Sequence, residues 1–295
     1  MKKVLVSMAI ALASGATALA QTNLTNSTNQ LNEKVDKLFA QWDKPDSPGC
    51  ALGVIKDGKI VYKRGYGSAN LDYNTPLSSE SVFNIASISK QFTAASILLL
   101  VQRGAISLDD DIRKYLPELP KYEAPITVSQ LGRHTSGVRD FLELMVMADR
   151  KPDEPFSNVE VVELIARQKR LNFKPGEKII YSNSNYVLLA EIVRRVSGKS
   201  LREFADENIF RPLGMANTQF KDDRTAVVKN RVISYTPTGG GGFRQFVDIT
   251  EAMGAGNMLT TIEDLAKWDQ NFYDNKVGGE LFGKQMLTRT KLDSG

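Results

Sequence analysis

Apolar residues recur along this 295-residue chain in three rhythms, each predicting a different element. Leu31, Val35, Leu38, Phe39 and Trp42 fall at i, i+4, i+7, i+8 and i+11, the spacing of one helical face. "DKPDSPG" then breaks the helix. Residues 50–56 and 59–67 read as two strands of a hairpin. Asp57-Gly58 is its two-residue turn, because a type I′ turn needs positive φ at both central positions. The third rhythm is nearly continuous. "FNIASISKQFTAASILLLVQRG", residues 83–104, predicts a buried helix with Gly104 as its C-terminal cap. Between Ile85 and Val101 its one charge is Lys90.

Further helical periods lie at 127–133, 157–170 and 185–197, the last closed by Gly198. Ser200 and Glu203 form a capping box, and Thr260 with Glu263 forms another for a helix reaching about Tyr273. "ISLDDDIRKYLPELP" reads as a loop with a short amphipathic turn. "PTGGGG", residues 237–242, reads as a flexible loop tip. It lacks the Gly-Lys-Ser/Thr that a phosphate-cradling loop needs. Strands cluster at the start and helices in the middle, with no internal repeat.

Composition narrows the function classes. Apolar content of 42% and charged content of 24% are those of an ordinary globular chain. The first twenty residues, "MKKVLVSMAIALASGATALA", carry two lysines, an apolar run and a small-x-small end before Gln21. They are expected to be a signal peptide cleaved after Ala20, with a loose polar tail over 21–30 and a periplasmic or secreted product. The apolar run is too short to span a bilayer, so no stable membrane anchor is expected. Without Lys2 and Lys3 the charge balance falls from 38 against 34 to 36 against 34, or +2. That charge gives no reason to expect a nucleic-acid partner. Cys50 and His134 are the only residues of their kinds, too few soft ligands for a protein-built zinc site. No metal or cofactor is expected. Cys50 is expected as a small buried residue on a strand.

The lysine at the head of the apolar helix raises the chemical question. Ser87 and Lys90 are i and i+3, on one face about a turn apart, and they form the one Ser-x-x-Lys pair in the chain. A helix start favours negative charge, such as an alkoxide forming on Ser87. Lys90 can take the serine proton when neutral, and burial pushes a lysine that way. The bland alternative is a lysine that snorkels to solvent. Tyr181-Ser182-Asn183 sits after Pro-Gly and before a buried helix, a suitable place for a site loop. A tyrosine hydroxyl can relay a proton, and an asparagine amide can both donate and accept. Tyr273-Asp274-Asn275 repeats the pattern but reads as a frayed helix end.

"FNIASISKQFTAA", "GAISLDDDIRKYLPE", "LGRHTSGV", "FKPGEKIIYSNSNYVLLAEIVRRVSG", "FRPLGMANT" and "GAGNMLTTIEDLAKWDQ" together resemble, in order, landmarks of the serine β-lactamase-related family. That family holds class C β-lactamases, D-alanyl-D-alanine carboxypeptidases, D-aminopeptidases and lactamase-like esterases. The resemblance implies an α/β fold of the α+β type, β-lactamase/transpeptidase-like: an antiparallel sheet flanked by helices plus a mostly helical domain. Residues 31–295 would be the catalytic domain, with 31–83 and 250–295 in the α/β part and 84–249 mostly helical. Tyr-Ser-Asn is similar to the class C branch. The resemblance implies Ser87 as the acylated nucleophile, Lys90 as its proton partner and Tyr181 as base or relay. Asn183 would hold Lys90 and a substrate amide, and the Ser87 N–H would give half of an oxyanion hole. His134 is taken as structural.

Two departures stand out. Gly132 occupies a position where a helix former is expected. The family's third motif, Lys-Thr-Gly or His-x-Gly on a late strand, has no counterpart: the late lysines read Lys284-Gln285-Met286 and Lys291-Leu292-Asp293. The family continues into last strands and a final helix, so the chain is expected to be truncated, poorly stable and weakly active or inactive. The implied function is an exported serine hydrolase acting on amide, ester or β-lactam carbonyls of small-molecule or peptide substrates. The alternatives are a penicillin-binding or sensing module without turnover, or an inactive relative. A Ser-His-Asp hydrolase is disfavoured, since no Gly-x-Ser-x-Gly elbow is present and one His exists.

Overall fold

The structure is a computed structural model that describes residues 30–150, 154–246 and 253–292. The expected signal peptide, and all but the last residue of the expected tail, lie outside the described residues. Residues 30–39 form helix α1. Its expected apolar face is only partly used, for Leu31 and Leu38 are 60% and 71% exposed. Phe39 stacks on Tyr66 with ring centroids 5.0 Å apart. The remaining fastening is polar: Asp36 accepts from the phenols of Tyr62 and Tyr66 and pairs with Arg64 at 2.7 Å. The helix faces a strand that offers phenols and a guanidinium instead of an apolar groove, so propensity forms it and hydrogen bonds place it.

Strands β1 (Cys50–Lys56) and β2 (Lys59–Tyr66) pair antiparallel, from Cys50 opposite Tyr66 to Lys56 opposite Lys59. Asp57 and Gly58 take φ of 51° and 70°, as the turn requires. Cys50 is half-buried, less than expected, because it starts a strand of a two-stranded ribbon. That burial pushes its thiol pKa up. Strands β3 (Ser68–Asn70) and β4 (Thr75–Pro76) form a second small ribbon. Strand β5 (Phe83–Asn84) then leads through a 3₁₀ turn, Ala86–Ser89, into α2 (Lys90–Gln102).

Helix α2 is buried from Phe92 to Leu100 apart from the half-buried Ala94, which is why its sequence is apolar nearly all round. The helices that follow are α3 (Val128–Gly132), α4 (Phe141–Met147), α5 (Asn158–Ala166), α6 (Asn183–Ser197), α7 (Leu201–Ala205) and α8 (Arg211–Leu213); α6 and α7 pack on α2, and α3, α4 and α5 pack on α6. Capping residues start three of them, the one at Ser200 as the sequence suggests. Thr127, Ser157 and Ser200 each accept from the N3 backbone, with a reciprocal Gln or Glu. Gly198, at φ 72°, ends α6.

Among the described residues of 84–249, short strands accompany the helices. Strand β6 (Gln219–Phe220) joins a three-stranded sheet, and β7 (Ser234–Pro237) with β8 (Phe243–Phe246) makes a hairpin whose turn is the glycine-rich segment. The polar, glycine-rich flanks hide these short strands from a periodicity reading. Strand β9 (Met258–Thr260), fully buried, lies between β5 and β6. Thr260 therefore belongs to a strand, and Thr261 caps α9 (Ile262–Asp274) by accepting from the Asp264 N–H. Helix α9 packs on the first hairpin, where the Cβ-less Gly53 admits Ile262. Helix α10 (Gly279–Met286) packs against α2. Trp268 of α9 bonds Gln91 at 2.6 Å and sits 4.6 Å from the Phe92 ring, tying α9 to the start of α2.

Gly132 ends α3 with no atom within 4 Å of where a Cβ would sit, and its φ is not positive. Gly132→Ala is expected to raise stability by about 0.5–1 kcal/mol, read as a shift of the urea midpoint at unchanged slope.

Candidate active site

The segment that carries Ser87 is held on both sides. Strand β5 pairs with β9, Phe83 opposite Thr260 and Asn84 opposite Leu259, and the Ile85 N–H donates to Met258 O at 3.0 Å. The Asn84 side chain accepts from the Ala86 N–H at 2.9 Å. Ala86 has φ 45°, a conformation that an alanine rarely adopts and that its neighbours must hold. The Ser89 hydroxyl donates to Ala86 O, and the Met258 N–H donates to Ser89 Oγ. A continuous α-helix was expected here, but the turn is 3₁₀. Three residues per turn eclipse positions i and i+3, so Lys90 stands directly behind Ser87. Ser87 is exposed, and Lys90 is only 6% exposed.

Lys90 Nζ donates to three acceptors. They are Ser87 Oγ at 3.0 Å, Asn183 Oδ1 at 3.0 Å and Ala255 O at 2.6 Å. Tyr181 places its hydroxyl 2.6 Å from Ser87 Oγ, and its ring lies 4.7 Å from Lys90 Nζ. Lys90 and Tyr181 thus meet at one serine oxygen, although 94 residues separate Ser87 from Tyr181, and Asn183 joins them through Lys90. Ala255 reaches Lys90 because Gly254, at φ 100°, lets the chain press on α6. A Cβ there would lie 2.3 Å from Tyr186 O.

The segment after α3 holds the Tyr181 loop. His134 O accepts from the Ile180 N–H at 3.0 Å, and His134 Nδ1 accepts from the Ser182 N–H at 3.1 Å. The imidazole stacks on the Tyr181 ring, centroids 4.6 Å apart. Asp140, the N-cap of α4, accepts from both the backbone and the side-chain nitrogen of Asn183. Sequence reasoning missed Asp140 and Ala255. An Asp just before the apolar "FLELMVM" run was a legible N-cap signal, but its second duty to Asn183 was not. A backbone carbonyl such as that of Ala255 leaves no residue-type signal.

Burial pushes the Lys90 ammonium below its ordinary pKa, while the Tyr181 hydroxyl and the Asp140 carboxylate work against that shift. Burial also pushes His134 down, to about 4, aided by the charge on Lys90 and opposed by Asp140. The imidazole is therefore neutral at pH 7. Its Nδ1 is occupied as an acceptor, which sets it to hold the loop. The arrangement can remove a proton from a serine hydroxyl and return it nearby.

Residues 35–293 match the family described as Beta-lactamase. A D-aminopeptidase of Brucella anthropi is 32% identical over 223 residues, covering 76% of this chain and 42% of that enzyme. The chain thus spans less than half the length of that curated relative. The octameric penicillin-binding protein homologue from Pyrococcus abyssi superposes with a TM-score of 0.77 at 28% identity, covering 88% of this chain and 60% of that one. The D-amino acid amidase from Ochrobactrum anthropi SV3, complexed with D-phenylalanine, gives 0.67 at 27% identity, covering 79% and 68%.

The His134 environment makes stability depend on pH in a definite sense. Its folded pKa lies below the ordinary 6.5, so folding favours the neutral ring. This contribution is complete above pH 6.5, declines as pH falls, and is lost by about pH 4. Asn tolerates the positive φ of 59° at this position and can accept from the Ser182 N–H. The melting temperature of His134→Asn is expected to fall less steeply between pH 6.5 and 4 than that of the unaltered chain, and parallel slopes would contradict the assignment.

Proposed function

The chain belongs to the serine β-lactamase-related family, and on that premise we propose that it is a hydrolase working through an acyl-serine intermediate on amide, ester or β-lactam carbonyls. One observation carries the reading. Lys90 Nζ and the Tyr181 hydroxyl lie 3.0 and 2.6 Å from the same oxygen, Ser87 Oγ. In the proposed reaction Ser87 Oγ attacks the carbonyl carbon as its proton passes to the Lys90–Tyr181 pair. The tetrahedral adduct then collapses. The bond to the leaving nitrogen or oxygen breaks, the leaving group takes the proton back, and the acyl group stays on Ser87. Water, deprotonated by the same pair, attacks the ester carbonyl; the bond to Ser87 Oγ breaks as that oxygen takes the proton back, and the acid is freed. Lys90 must be neutral to accept, and its lowered pKa enlarges that fraction near neutral pH.

The relatives bear on the substrate class. The D-aminopeptidase and the D-amino acid amidase point towards small amides with a D-configured residue. Such amides are the preferred substrates in this reading, with esters and β-lactams as other acyl donors. A second reading, a penicillin-binding module that acylates without turnover, draws on the likeness to the Pyrococcus abyssi protein. Incubation with D-phenylalanine amide, a nitrophenyl ester and a cephalosporin, followed by intact-mass spectrometry, separates the two. A hydrolase gains an adduct on Ser87 and sheds it, whereas a binding module keeps it. Ser87→Ala should abolish the adduct, and Lys90→Ala should slow its formation about a hundred- to ten-thousandfold. An adduct that persists in Ser87→Ala would remove the basis of the proposal.

Export belongs to the same reading, supported by the charged, apolar and small-residue order of residues 1–20. Protein recovered from the periplasm or medium is expected to begin at Gln21; an intact Met1 there would contradict cleavage after Ala20, and retention of the whole chain in the cytoplasm would contradict export.

A further inference from the structure

Asp140 meets the site through one of its two carboxylate oxygens. Oδ1 accepts from the Leu142 N–H at 2.8 Å, the ordinary duty of a helix cap. Oδ2 accepts from the backbone N–H of Asn183 and from its Nδ2, the latter at 2.9 Å. The residue is 8% exposed, so water is a poor substitute for either partner. An ionised carboxylate can only accept, which means the amide group facing it is the NH2. Asn183 Oδ1 is thereby turned towards Lys90 Nζ, 3.0 Å away. A flipped amide would set NH2 against the ammonium and carbonyl against the carboxylate, two repulsions at once.

We propose that Asp140 is a positioning residue that locks the Asn183 amide in the orientation that holds Lys90 against Ser87. The consequence for rate rests on the acyl-serine reading, but the placement of Lys90 does not. Several groups face Lys90. Ser87 comes from the 3₁₀ turn, and Tyr181 and Asn183 from the start of α6 and the loop before it. The Tyr186 ring lies 5.6 Å away, His134 stands on the segment after α3, and Ala255 O precedes β9. Among the described residues, Asp140 is the carboxylate acting with them on Lys90. Its charge favours the ammonium and burial opposes it, so a neutral residue at 140 lets Lys90 lose its proton at lower pH.

The test uses the full chain with lysines labelled at 13Cε, the Lys90 resonance being assigned by its loss in Lys90→Arg. In Asp140→Asn the Lys90 titration is expected to move down by about half a pH unit or more. Asp140→Glu, which keeps the charge, should titrate closer to the unaltered protein. Asp140→Ser keeps a capping hydroxyl for α4, so a folded neutral variant exists even if Asp140→Asn melts. On the substrate that acylates Ser87, kcat of the neutral variants should fall about ten- to a hundredfold with KM little changed. The acid limb of kcat/KM should move down with the NMR titration. A Lys90 titration unchanged in both neutral variants overturns the proposal. If no substrate acylates Ser87 in the unaltered chain, the acyl-serine reading fails while the titration still decides the role of Asp140.

Discussion

A buried ammonium must find an acceptor for each of its protons or give one up, and the structure is arranged around that demand at Lys90. Leaving such a charge unpartnered costs on the order of several kcal/mol. Three acceptors from three distant parts of the chain meet it: the hydroxyl one turn back, the amide at the head of α6 and the carbonyl of Ala255. Two effects oppose each other. Burial destabilises the charged form, while Tyr181 and the Asp140 charge stabilise it, and burial prevails. The result is a lysine held in place by its hydrogen bonds yet easier to deprotonate than one in water. A base that must take a proton from a hydroxyl 3.0 Å away needs both properties.

The rest of the fold answers to that geometry. Helices α2 and α6 pack closely enough to bring residues 90 and 183 into contact, and Gly254 lets the segment leading to β9 press on α6 where any side chain would collide with Tyr186 O. Strand β9 is bonded to β5 on one side, so the turn bearing Ser87 and the carbonyl bonding Lys90 are anchored to one piece of sheet. Trp268 links α9 to the start of α2, which makes the first hairpin and α9 part of the same support. Positive φ at Ala86 is tolerated because Asn84 and Ser89 hold the peptide on either side.

Local chemistry was legible in the chain and long-range closure was not. The capping side chain at Ser200 and the Asp57-Gly58 turn act within three or four residues, and each reads directly from residue type. The apolar run after Lys90 announced a buried helix for the same reason. By contrast, α1 showed a helical face that the fold leaves largely in water, because its neighbour is a ribbon that offers phenols. The two- to four-residue strands β6, β7 and β8 fall below the length at which alternation can be seen. Candidate site residues could be named one by one from their types and from likeness to a family. That Asp140 faces Asn183, and that a carbonyl at 255 completes the shell of Lys90, depends on where α4 and β9 come to lie, and no local pattern carries that.

The single histidine shows why the proposed proton work falls to a lysine and a tyrosine. An imidazole is the usual base at neutral pH, and His134 lies within stacking distance of Tyr181. Its position denies it that task. The ring is partly buried and the neighbouring Lys90 charge disfavours a second cation, so its pKa falls to about 4, and its Nδ1 is already engaged by the Ser182 N–H. A base that weak would hold almost no proton during turnover at pH 7. The same features make it a good spacer: flat, neutral, and bonded to the backbone on one edge while its face supports the Tyr181 ring. Lys90 and His134 are thus coupled in opposite senses. Protonating the histidine would push the lysine towards its neutral form, but it would also release the Ser182 bond that helps to hold Tyr181. The neutral histidine keeps the phenol in place and leaves proton transfer to the two groups that touch Ser87.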